Sequence, residues 1–171
     1  MARSALDTAL GLLARRDYLR EELRSRLARK RYSEDEIDAA LERCAELGYL
    51  DDLRAGRRYA ELAATRRGWS PRRIEWELRR RGIDEASAAR LAVLTPEELA
   101  TALQTTLQRA ERRAPQRWWR AGDARARMVT SLVGRGFDPD DAARAVDELA
   151  ARRENADDAS DEKPGDPIDL P

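Results

Sequence analysis

The sequence predicts an all-α fold of three tandem three-helix repeats forming an elongated, curved array, with a disordered acidic C-terminal tail. Three observations predict it. No segment of four to eight residues alternates with β-branched or aromatic side chains, and Val stands only at 93, 129, 133 and 146, which argues against sheet. Helix starts and stops recur along the chain. The apolar pair, turn and cap of one segment also return at fixed offsets further on.

The elements follow in order. Helices are expected near 4–15 and 20–31, the second carrying Leu23 and Leu27 on one face. Ser33-Glu34-Asp35-Glu36 is a capping box that opens a third helix over 33–47, and Gly48 stops it. A fourth spans 52–66 and ends at Gly68. Ser70-Pro71 opens a fifth over 71–81, because Pro loses nothing at a position whose N–H has no partner; Gly82 closes it. A sixth covers 84–93. Thr95-Pro96-Glu97-Glu98 combines a capping box with the same Pro device and opens a seventh over 96–114. Residues 115–122 carry the weakest pattern. Helices over 123–135 and 139–153 complete the set, the last opened by Asp138-Pro139 after Gly136.

The repeat is visible in the spacing. Adding 51 to Leu23 and Leu27 gives Ile74 and Leu78, and a further 54 gives Met128 and Leu132. The next turn repeats as Arg31-Tyr32-Ser33, Gly82-Ile83-Asp84 and Gly136-Phe137-Asp138, with an apolar staple before each N-cap. Ile37, Ala88 and Ala142 keep the register on the third helices, and Tyr18 maps onto Trp69, which is therefore expected in the core. The expected divisions are 1–50, 51–94 and 95–153, followed by a tail over 154–171. Units of about 50 residues have marginal cores and are expected to stack. Trp118-Trp119, where the pattern lapses, is expected to wedge between repeats.

Composition limits the chemistry. The 171 residues include no His, which removes His-based triads, His-ligated zinc and imidazole acid–base catalysis. A single Cys44 allows neither an internal disulfide nor a multi-thiolate metal site, and it reads as a small packed residue. Only two lysines occur, Lys30 and Lys163. The many carboxylates lie beside arginines and read as solvated helix partners. Gly134-Arg135-Gly136 ends a helix, whereas a phosphate-binding loop opens one. These features predict a protein that is not an enzyme, with no catalytic residues, no metal and no cofactor. No apolar run approaches the ~18 residues of a membrane span, and residues 1–7 show no secretory pattern, so a cytoplasmic location without membrane contact is expected.

Lys+Arg and Asp+Glu both number 33, but the balance is uneven. Residues 154–171 hold seven acids against one lysine, with Pro164, Gly165, Pro167 and Pro171, a composition that predicts disorder. The cationic excess peaks at Arg66, Arg67, Arg72, Arg73, Arg79, Arg80 and Arg81. On the fifth helix Ile74 and Leu78 form the buried stripe, and Trp76 points away from it. Arg72, Arg73, Arg79 and Arg80 are its neighbours at three and four residues. An aromatic ring among guanidinium groups suits a phosphate backbone with an unstacked base, or an acidic protein surface with an apolar anchor. The candidate binding patch is therefore Arg66, Arg67, Arg72, Arg73, Trp76, Arg79, Arg80 and Arg81.

These residues resemble a known family. Leu47-Gly48-Tyr49-Leu50-Asp51-Asp52 is similar to the signature "ELGYLDD" of the RecX family of RecA regulators. Asp17-Tyr18-Leu19-Arg20-Glu21-Glu22-Leu23 resembles another family segment, with Leu19 where Ser is usual. Residues 70–84 are similar to "GPRRIxxELRxKGI", with Ser70 in place of Gly. After Asp52 the family usually continues Glu-Arg-Phe-Ala, whereas here stand Leu53, Arg54, Ala55 and Gly56, and the acidic tail is outside the pattern. The match covers 5–90 well and 91–153 as architecture. The resemblance implies a partner of the RecA recombinase and its nucleoprotein filament on single-stranded DNA; a monomer is expected. It implies a mainly negative regulator of ATPase, strand exchange and repressor cleavage in DNA repair and the SOS response, itself binding single- or double-stranded DNA weakly. The alternative is an independent helix-turn-helix-like DNA-binding regulator. Against it, 71–81 lacks the Asn or Gln that reads adenine, although its arginines could read guanine.

Overall fold

The computed structural model describes residues 3–161 of the chain. Among them the helices are α1 (Ala5–Leu13), α2 (Arg20–Ala28), α3 (Glu34–Glu46), α4 (Asp52–Arg67), α5 (Pro71–Arg80), α6 (Glu85–Leu91), α7 (Pro96–Glu111), α8 (Gly122–Val133) and α9 (Pro139–Asp161). A single 3-10 turn, Trp118–Arg120, lies in the stretch of weakest pattern, and no strand occurs among the described residues. Two compact units result, up to Ala102 and from Leu103 onward.

The first unit is built on caps legible in the chain. The Ser33–Glu36 box closes in both directions, and the Ser70 Oγ accepts from the Arg73 N–H. Leu23, Leu27, Ile37, Leu41 and Cys44 are fully buried with Tyr18 and Leu50 around them. Burial pushes the Cys44 thiol up, away from the thiolate form that nucleophilic chemistry needs. Ile74, Leu78 and Ala88 are fully buried at the equivalent places of the next three helices. Gly56 permits a close approach there: a Cβ would meet Leu91 Cδ1 at 2.8 Å.

The first two three-helix sets are also joined by polar groups. The Asp52 carboxylate receives the Arg20 N–H at 2.6 Å, and Arg54 Nε lies 3.4 Å from Asp17. Glu98, the acid of the Thr95 capping box, turns back to Arg57 of α4 at 2.5 Å. Burial would push the Glu98 carboxyl up. The Arg57 hydrogen bonds, the Thr95 N–H and the Arg57 charge outweigh it and hold the group below the usual range.

In the second unit Met128, Leu132, Phe137, Ala142 and Val146 are buried, again at the repeat positions. Trp118 is buried within this unit, where the 3-10 turn packs on α8 and α9, and its Nε1–H faces Glu111 at 3.4 Å. Glu111 also takes two bonds from Arg153, at 2.7 and 3.0 Å.

Two expectations are corrected here. Helix α9 does not end at 153: it continues to Asp161, so residues 154–161 are helical rather than disordered. The cause is ion pairing, since Glu154, Asp157 and Asp158 find Arg125, Arg117 and Arg120. The rest of the expected tail, 162–171, lies outside the described residues. Glu77, expected to be solvated, is instead buried beside Arg80 and Arg81 at 3.5 and 3.7 Å.

A cationic face on the second three-helix set

Helices α2 and α5 occupy equivalent places 51 residues apart, yet their first turns carry opposite charge. Glu21 and Glu22 open α2, and Arg72 and Arg73 stand at the matching positions of α5. Acids in a first turn favour the partial positive charge of a helix N-terminus, whereas arginines oppose it by a few tenths of a kcal/mol each. Local helix stability therefore does not account for Arg72 and Arg73.

The same comparison explains the aromatic residues. In the first set Arg16 lies 3.7 Å over the Tyr18 ring and is neutralised by Glu22. In the second, Arg67 lies 5.0 Å over the equivalent Trp69, and the place of Glu22 is taken by Arg73, 4.6 Å over the same ring. Trp69 is half-buried, with Tyr59 edge-on at 6.3 Å, rather than in the core as Tyr18 is. Its larger indole extends to the surface, where two guanidinium groups cover it.

Trp76 is 58% exposed, the most exposed aromatic ring among the described residues. It is not ringed by four arginines. Only Arg80 lies over it, at 5.4 Å; Arg73 is drawn to Trp69 and Arg79 to Glu85 at 3.4 Å. Arg81 is half-buried, set 4.7 Å over the Tyr59 ring and beside Glu77, so it faces inward. The structure thus presents Arg72, Arg73, Trp76, Arg79 and Arg80 outward on α5, with Arg66 and Arg67 exposed at the end of α4. Trp69 was absent from the sequence-derived set. Its four-residue spacing to Arg73 was the available signal.

No group of three or more His, Cys, Asp or Glu side chains placed to hold a metal occurs among the described residues. Among the same residues no helix is long and apolar enough to cross a membrane.

Comparison with known proteins gives the family of the chain. Residues 5–44 match the model of the first three-helix domain of RecX, and residues 51–90 match that of the second. The chain is 38% identical over 137 residues to a regulatory protein RecX of Thermus thermophilus, covering 80% of this chain and 86% of the relative. It is 30% identical over 150 residues to the regulatory protein RecX of Prosthecochloris aestuarii, covering 86% and 94%. A crystal structure of RecX from Lactobacillus salivarius shares the fold with a TM-score of 0.65 at 21% identity, over 85% of this chain and 94% of that one. The chain belongs to the RecX family of regulatory proteins.

Proposed function

We propose that this protein regulates the RecA recombinase, mainly negatively, by binding RecA and its filament on single-stranded DNA. It restrains ATPase, strand exchange and stimulated repressor cleavage, and it does so as a binding protein without chemistry of its own. The observation that carries this reading is the reversed first turn of α5. Arg72 and Arg73 replace the acids of α2 at a place where helix electrostatics disfavours them, beside the exposed Trp76. An exposed indole on a face rich in arginine has the residue types enriched at the energetic centres of interfaces. Arginine serves such a face better than lysine, because its planar fork engages carboxylate or phosphate at two points.

The test is the RecA ATPase on single-stranded DNA, titrated with this protein. Inhibition well below one protein per RecA favours blocked filament ends, and inhibition only near saturation favours binding along the filament. Absence of inhibition at any ratio, together with DNA binding in the absence of RecA, would favour the independent DNA-binding reading.

A further inference from the structure

The second unit carries a different arrangement of charge. Arg117, Arg120 and Arg125 surround the 3-10 turn, and Glu154, Asp157 and Asp158 meet them from one face of α9. Arg117 Nε lies 3.3 Å from Asp157, Arg120 lies 3.0 Å from Asp157 and 3.2 Å from Asp158, and Arg125 lies 3.4 Å from Glu154. The three acids stand at i, i+3 and i+4 on the helix and so form one continuous anionic edge.

Several features mark this as more than helix decoration. Arg117 adopts a left-handed conformation, φ 56°, which costs a non-glycine residue energy. The buried Oδ2 of Asp157 gains charge contacts from two arginines but no well-formed hydrogen bond, and the adjacent Trp119 Nε1–H is buried without an acceptor. Arg125 Nε is fixed by the Trp119 carbonyl at 2.5 Å, so this guanidinium keeps its place independently of Glu154. The arginines remain between a third and a half exposed, so an anion from solvent can reach them. Each guanidinium does donate one hydrogen bond to an acid, Arg117 to Asp157 Oδ1 at 3.3 Å, Arg120 to Asp158 at 3.2 Å and Arg125 to Glu154 at 3.4 Å. All are longer than the ~2.7–2.9 Å of a strong charge-assisted bond, so the cluster is cationic and its present anions are loosely held.

We propose that Arg117, Arg120 and Arg125 form a site for the phosphodiester backbone of single-stranded nucleic acid. Glu154, Asp157 and Asp158 occupy that site in the free chain as an internal competitor. The half-buried Trp119 beside the cluster adds an aromatic surface of the kind on which an unstacked base stacks. A strand that binds must displace the acidic edge, which weakens binding and makes it more selective for dense negative charge.

The experiment measures binding of a fluorescein-labelled oligo-dT to the full chain by anisotropy, without RecA, against the variant E154Q/D157N/D158N. The variant is expected to bind about tenfold tighter near 50 mM salt, with a salt slope steeper by about 2, at about 0.7 per phosphate neutralised on a single strand. A control, D140N/D147N/E148Q, removes the same charge from elsewhere on α9 and is expected to change affinity little. An equal gain in the control, or no gain in the first variant, would overturn the proposal. Should the triple variant lose helicity, E154Q/D158N leaves Asp157 in place; a gain of about threefold is then expected, and none would overturn the proposal. R120A added to the neutralised chain should reverse much of the gain. Because RecA is absent, failure here is distinct from failure of the regulatory reading.

Discussion

The Oδ1 of Asp52, at the start of α4, accepts the backbone N–H of Arg20, at the start of α2, over 2.6 Å. The residue before Arg20 is Leu19, which makes no side-chain cap. Leu19 is buried at 4% exposure, so the position that would ordinarily cap α2 is given to packing and the capping oxygen comes from another helix. Asp52→Ala is expected to cost about 1 kcal/mol, the value of a lost cap. Leu19→Ser restores a local cap but removes a buried leucine worth about 1.5–3 kcal/mol, so it should also destabilise. Urea midpoints of the two variants check both signs.

Arg31, Gly82 and Gly136 hold the same place in the three repeats, and all have positive φ, at 65°, 90° and 87°. Arg31 alone bears a side chain there. Arg31→Gly should stabilise by about 0.5–1 kcal/mol, after allowing for the greater freedom of glycine in the unfolded chain. Gly82→Ala should do the reverse, and more strongly than φ alone requires. Its Cβ would stand 2.6 Å from Cγ of Glu21 on α2. Thermal melting of the pair reads the two directions.

Leu78→Ala and Leu132→Ala test the repeat itself. Both side chains are fully buried at equivalent positions, and each truncation is expected to cost about 2–5 kcal/mol in chemical denaturation. A much smaller cost at either position would show that the two places are not energetically equivalent.

Acid should weaken the tie between α7 and α4. The Glu98 carboxyl is held below its unfolded value, of about 4.3 for a free glutamate. Its contribution is therefore complete above that value and is lost as pH falls through the lower folded value. Glu98→Gln should be less stable than the parent at neutral pH, and the difference should narrow on acidification. Denaturation profiles of both proteins across the acidic range check this sign.

Much of the fold was legible because its signals are local. Caps such as Ser33 with Glu36 and Ser70 with Pro71 need only neighbouring residues, and the stripe Ile74–Leu78 needs only helical spacing. The parts that were not legible depend on pairings between distant residues. The Arg117–Asp157 contact spans 40 residues and extends α9 through a segment whose composition alone reads as disordered. The outward residues of α5 followed from periodicity, since Trp76 lies off the Ile74–Leu78 stripe. How the arginines divide between Trp69, Trp76, Glu77 and Glu85 did not, because each choice depends on where other helices place their side chains.

The proposed regulation of RecA rests on the cationic face of α5. Its most direct test is inhibition of the RecA ATPase on single-stranded DNA by R72E/R73E and by Trp76→Ala, each compared with the parent. R72E/R73E gives α5 the acidic first turn of α2, which suits the helix N-terminus, so loss of inhibition is not expected to come from loss of the helix. Inhibition should be abolished or strongly reduced in R72E/R73E and weakened by about 1–3 kcal/mol in Trp76→Ala, the range for an anchor residue or a stacked base. Parental inhibition by both variants would contradict the account and leave this helix a solvated surface.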